Sequence, residues 1–107
     1  MALYPPTTTA LTDLTAVGTT NSVQVSSQTF TFQVTVSSIG TNVVLRFEGS
    51  LNNQEWFNLD SSEANTTITA DGTTGYAVSD TPVEFVRVRL VSLSGGTPTV
   101  ATTIGAA

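Results

Sequence analysis

A chain of 107 residues without cysteine, histidine or lysine is a single domain whose stability must come from an apolar core, since disulfides and thiolate metal sites are excluded. Its charge is sparse and one-sided: eight acids stand against Arg46, Arg87 and Arg89, and the net charge of -5 disfavours nucleic acid and anionic membrane as partners. The missing histidine removes the commonest general base and zinc ligand, and without lysine a Ser or Thr nucleophile has no basic partner either.

Threonine and serine supply 32 of the 107 residues and hydrophobic residues 39%, a balance that favours strands with hydroxylated solvent faces over disorder. Residues 1–9 read as an extended N-terminal arm, with Leu3 and Tyr4 as an apolar tip and Pro5-Pro6 unable to donate ladder hydrogen bonds. Met1 to Pro6 has none of the basic and apolar stretches of a secretion signal. No run reaches the roughly eighteen apolar residues of a membrane span.

A sandwich domain over residues 10–107 is expected to open with an edge strand in Ala10 to Val17, closed by Gly18. Ser22 to Ser26 follows, with Val23 and Val25 on one face. Phe30, Phe32, Val34 and Val36 then alternate with Thr31, Gln33 and Thr35, the pattern of a half-buried antiparallel strand. Ile39 to Asn42 is expected to turn the chain.

Val43 to Leu59 carries the largest apolar side chains and reads as a hairpin. Val43, Leu45 and Phe47 share one face, while Val44, Arg46 and Glu48 share the other. Asn52-Asn53 supplies the turn, and Trp56, Phe57 and Leu59 begin the return strand, with Trp56 assigned to close one end of the core. Thr66 to Ala70 is a short strand with Ile68 inward, Asp71-Gly72 turns the chain, and Gly75 to Ser79 returns.

After Asp80-Thr81-Pro82, the run from Val83 to Leu93 places Val86, Val88 and Leu90 inward. Phe85, Arg87, Arg89 and Val91 occupy an opposite face that is not uniformly polar, the mark of a covered strand or an interface. Ser94-Gly95-Gly96 is expected to close it, and Thr97 to Ile104 forms a last strand with Val100 and Ile104 together. The pattern is all-β: a single antiparallel β-sandwich, jelly-roll-like, of about eight short strands.

Glu48, Glu55, Asp60 and Glu63 lie near the hairpin, with Trp56 available as a sugar platform. Glycosidases, however, hold two carboxyls about 5 Å or about 6.5–9.5 Å apart in a cleft, for which so short a chain has little material. Scattered solvated acids account for the same residues. Calcium at Asp60 and Glu63 would need about six to eight oxygens, and no Asp-x-Asp-x-Asp spacing offers them. No catalytic residue, metal or cofactor is assigned, and the chain is not expected to be an enzyme. Arg87 and Arg89 project from one strand face, where cross-strand ion pairs with Glu48 or Glu84 are the simplest account and acids of a second subunit the alternative. Asn65-Thr66-Thr67 matches a glycosylation acceptor and marks an exposed loop.

The segment FEGSLNNQEWFNL (residues 47–59), followed by EFVRVRLVSLSGG (residues 84–96) and a Thr/Val-rich last strand, resembles a type of small bacteriophage virion β-sandwich protein of the capsid decoration, or cement, type. Such proteins show a Gly-Ser-x-Asp/Asn turn, a Trp and a Leu, then a Val-Arg-x-Arg strand ending in Ser-Gly-Gly. Here Gly49-Ser50, Asn52, Trp56, Leu59, Val86 to Arg89 and Ser94-Gly95-Gly96 match. A weaker similarity runs to discoidin-like sugar- or lipid-binding sandwiches, from which the chain departs in having Asn52-Asn53 in place of Asp-Gly and no cysteine pair.

The phage resemblance implies a structural protein of the virion, made in the host cytoplasm. It would bind the major capsid protein or other virion proteins as a homo-oligomer, a trimer, with no nucleic acid or membrane partner. The contact residues would be Leu3, Tyr4, Phe85 and Val91, with Arg87 and Arg89 giving register. The alternative is a phage tail, fibre or carbohydrate-binding adsorption module in which Trp56 and Tyr76 stack on sugar.

Overall fold

The period-two runs do form strands. The computed structural model describes residues 7–25, 28–60 and 65–106, and these form an all-β, antiparallel arrangement. The eight strands are β1 (Thr7–Ala10), β2 (Gly18–Thr19), β3 (Val23–Gln24), β4 (Phe30–Ser50), β5 (Phe57–Asn58), β6 (Thr66–Ile68), β7 (Gly72–Val78) and β8 (Phe85–Ala106). Their lengths depart from the expectation of uniformly short strands, because β4 and β8 run for 21 and 22 residues.

The two long strands explain why two expected turns do not occur. Ile39 to Asn42 stays inside β4 and Ser94-Gly95-Gly96 inside β8. The strands pair from Phe30 against Ala106 to Ser50 against Phe85, and the two breaks fall opposite each other, Ile39 facing Gly96 and Asn42 facing Ser94. Register shifts between Ser37 and Ile39 and between Ile39 and Asn42 bend the pair without ending it. Ser38, Gly95 and Gly96 take left-handed conformations, with φ of 56°, 70° and 64°. A Cβ on Gly40 would strike the Gly95 carbonyl carbon, and one on Gly96 would lie 2.8 Å from the Gly40 Cα. The glycines therefore permit a shared bend rather than two separate turns.

The remaining strands line the outer edges of this pair. Along β8 lie β1 against Thr103–Ala106, Leu14 bridging Val100, β2 against Arg89–Leu90 and β3 against Phe85–Val86. Along β4 lie β5 at Glu48–Gly49, β6 at Val43–Leu45 and β7 at Phe30–Val36. Thus β6 and β7 do not form a hairpin across Asp71-Gly72. They lie end to end on one edge, and the Asp71 carboxylate accepts the Ile39 N–H at 2.9 Å where the edge rounds the bend. The first strand starts at Thr7, within the segment expected to be an arm, because the N–H groups needed for pairing resume once Pro6 is passed. Leu3 and Tyr4 lie outside the described residues.

The result is four bent ribbons in one curled sheet, whose two halves face each other as layers. Phe30, Phe32, Val34 and Val36 point in from one layer, and Val43, Leu45, Phe47, Val86, Val88 and Leu90 from the other, all buried. The layers meet in an aromatic cluster. Phe32 and Phe47 lie 4.8 Å apart, and Phe47 stacks on Tyr76 at 4.6 Å with planes 3° apart. Each fully buried Val, Leu or Phe of this core contributes about 1.5–3 kcal/mol by leaving water. Val100 and Ile104 are buried on the same face of β8, as the sequence spacing required. Trp56, by contrast, does not close the core. Leu59 and Val83 fill that end, so closely that a Cβ on Gly49 would lie 2.8 Å from Leu59 Cδ2 and 3.0 Å from Val83 Cγ1.

The bend gives a direct test. Gly96→Ala is expected to lower the unfolding free energy by about 2 kcal/mol or more, since a left-handed conformation alone costs a side chain about 1–2 kcal/mol before the collision with Gly40. Gly75→Ala on the edge strand meets nothing nearer than 3.9 Å, and should be neutral or stabilising by up to about 1 kcal/mol. Urea denaturation of both variants separates the two; equal losses would remove the special role of the bend.

Candidate functional site

Strand alternation turns Val44, Arg46 and Glu48 of β4 away from the core, and Phe85, Arg87 and Arg89 of β8 with them. The antiparallel register sets Glu48 directly opposite Arg87, and Arg46 directly opposite Arg89. Like charges across a non-local pair repel, yet here each guanidinium turns toward the same carboxylate. Arg87 Nε donates to Glu48 Oε1 at 2.8 Å, while Arg46 Nε and Arg89 Nε lie 3.1 and 3.4 Å from Oε2. All three cations of the chain thus converge on one acid.

The cluster is graded in burial. Glu48 is 2% exposed although it sits on an outer face, where three guanidiniums converge on its carboxylate. Arg87 is 18% exposed, Arg46 33% and Arg89 45%. Trp56 covers the inner end: the Arg87 guanidinium carbon lies 4.1 Å from the centre of the indole ring, within cation–π range.

The turn that delivers Trp56 is built from its own side chains. Ser50 Oγ accepts the N–H groups of Asn52 and Asn53, and Asn52 Oδ1 accepts those of Gln54 and Glu55 at 3.0 and 2.9 Å. Asn53 takes a φ of 59°, a conformation asparagine tolerates. The short polar turn expected over residues 51–55 is present, and it places the indole on the arginine rather than in the core.

Of the residues assigned from sequence, Phe85, Arg87, Arg89 and Val91 lie along the same outer strand face. Val91 is the extra residue at a bulge, since Val44 pairs with Ser92 and Leu45 with Leu90, and it is 37% exposed. Val17, 63% exposed, is next to it by register, because Gly18 pairs with Leu90. Glu48 is the ion-pair partner of the arginines. Glu84 instead accepts a 2.6 Å hydrogen bond from Gln24 Nε2.

The four acids near the hairpin do not share an environment. Glu48 is occupied by arginines, Glu55 is exposed in the turn, and Glu63 lies outside the described residues. Asp60 acts on Tyr76. That phenol, stacked on Phe47, has its pKa raised first by burial and then by the Asp60 charge. Tyr76 and Trp56 have separate partners, Phe47 and Arg87 respectively. Among the described residues no group of three or more acids is placed to hold a metal ion. Sequence reasoning missed Arg46 as a member of the cluster, although its two-residue spacing from Glu48 was the available signal.

No protein-family model and no curated protein matches the chain. In fold the chain is similar to the crystal structure of the SPBc2 prophage-derived protein YomS, with a TM-score of 0.64 and 15% sequence identity over 99% of each chain.

Two outcomes follow for stability. Glu48→Gln leaves three partly exposed arginines without their counter-charge and should cost about 1.5–3 kcal/mol, the range for hydrogen bonds to charged groups, whereas Arg89→Gln, at the exposed rim, should cost under about 1 kcal/mol; chemical denaturation compares them. Tyr76 sets an alkaline limit. Its folded pKa stands above the unfolded value of 10.0, so its contribution is complete below about pH 10 and is lost as pH rises through the folded value. Thermal melts across the alkaline range should show that loss in the wild type and not in Tyr76→Phe.

Proposed function

We propose that this chain is a bacteriophage virion structural protein, a capsid decoration protein that binds the assembled shell as a homotrimer. The observation that carries this reading is the fold similarity to a prophage-derived protein over almost the full length of both chains. The outer face centred on Glu48 supports it. Trp and Arg are the side chains most often found at the energetic centre of interfaces, and here Trp56, Arg87 and Arg89 are flanked by the partly exposed Phe85 and Val91.

The mechanism is additive and needs no reactive group. A stiff curled sheet lays this face across neighbouring capsomers, Leu3 and Tyr4 of the N-terminal arm bury further apolar area, and the bridged shell resists expansion and heat. A standard interface removes about 800 Å² from each partner, which the 6010 Å² surface of the chain accommodates readily.

Purified protein added to phage particles that lack it should cosediment with heads and raise the temperature at which they release their genome. Attachment to tails alone, or to neither, overturns the decoration reading. Removing residues 1–6 keeps β1 intact and deletes Leu3 and Tyr4, whose burial at about 1.5–3 kcal/mol each predicts retention weaker by at least about tenfold. Unchanged retention would take the arm out of the mechanism.

A further inference from the structure

The arginine cluster has more positive charge than it uses. Three guanidiniums face one carboxylate, an excess of two positive charges on a chain whose net charge is -5. Among the described residues no other acid forms an ion pair with them. In each pair the approach shown is through Nε, the inner nitrogen, and among the described residues the one hydrogen bond from these arginines, Arg87 to Glu48, is also made by Nε and not by a terminal nitrogen. Those terminal groups are the ones that recognise carboxylates as two-pronged donors.

Arg87 is held in place: its Nε donates to Glu48 at 2.8 Å and the indole of Trp56 packs against it. Arg46 and Arg89 are set beside it by the strand register, their Nε atoms 3.1 and 3.4 Å from the same carboxylate. Side chains ordered in advance lose little freedom on binding, which is the main cost that a surface arginine otherwise carries into an interface.

We propose that the outer face of Arg46, Arg87 and Arg89 is a docking surface for an acidic protein surface, whose Asp or Glu carboxylates bind the terminal nitrogens of the arginine forks. This rests on reading that face as the docking face, and it names the chemistry of the partner. A polyphosphate backbone is disfavoured because the rest of the chain repels an extended polyanion. A local acidic segment feels mainly the cluster, since charges beyond about 8 Å are screened at physiological salt.

The test uses the full chain and a triglutamate peptide, short enough to meet only the cluster, with Trp56 fluorescence as the reporter because the indole touches the cluster. Binding should saturate and should weaken strongly between about 0.1 and 1 M salt, as the screening length falls from about 10 to about 3 Å. Arg89→Gln, at the exposed rim and expected to leave the fold intact by circular dichroism, should weaken it by about tenfold, equivalent to about 1.4 kcal/mol. Absence of saturable binding, an Arg89→Gln variant that binds as the wild type does, or equal affinity for single-stranded DNA would each overturn the proposal. Particle cosedimentation is scored separately. Attachment to heads that Arg89→Gln leaves unaffected defeats this inference and spares the decoration reading, while peptide binding without attachment to heads does the reverse.

Discussion

Everything in this protein depends on β4 and β8 remaining paired while they bend. A single antiparallel sheet of short strands would leave one apolar face in water. By carrying the bend through both strands at the same level, the chain brings Phe32 over Phe47 and turns one sheet into two layers around a common core. The left-handed Ser38 is the local cost of that geometry, while Gly40, Gly95 and Gly96 accept the close approach and positive φ without a side-chain clash. That cost is tolerated because the pairing on both sides over-determines the backbone in between.

The fragmented edges follow from the same constraint. The ribbons outside β4 and β8 pair in short pieces, and each is interrupted opposite the bend, between β6 and β7 on one edge and between the Leu14 bridge and β2 on the other. β1, Leu14, β2 and β3 divide one edge, and β5, β6 and β7 divide the other. Short edge strands also offer little continuous backbone for unwanted pairing with a second sheet. Where the ladder is interrupted, side chains substitute. Thr20 lies between β2 and β3, and its hydroxyl accepts the Val88 N–H at 3.0 Å.

The outer face of the second layer holds all three arginines of the chain. The two long strands set four charged residues in a square, and the square is stable only because Glu48 is shared by three arginines. Their burial is graded from the anchored carboxylate to the exposed Arg89. The lower half of the square is structural and its upper half faces solvent, and the docking role and carboxylate chemistry proposed for this face rest on that division.

The all-β class, the strand from Phe30 to Val36 and the inward set Val86, Val88 and Leu90 were legible in the residues, because period-two alternation over several positions has one reading on a pleated strand. The Asn52-Asn53 turn was legible for a similar reason: its hydrogen bonds are made by its own side chains. The face shared by Phe85, Arg87, Arg89 and Val91 could be read from alternation as well, and the Arg46-Glu48 spacing lay within one strand, but that Arg87 and Arg89 would share Glu48 with Arg46 depends on the register of β4 against β8. The same long-range pairing decided that Gly95-Gly96 and Ile39 to Asn42 would form one bend instead of two turns. It also decided that Trp56 would cover Arg87 while Leu59 and Val83 filled the core. Local sequence specifies which conformations a backbone segment allows and which side of a strand is apolar; which segment lies opposite is settled only when distant strands meet, and that choice created the site.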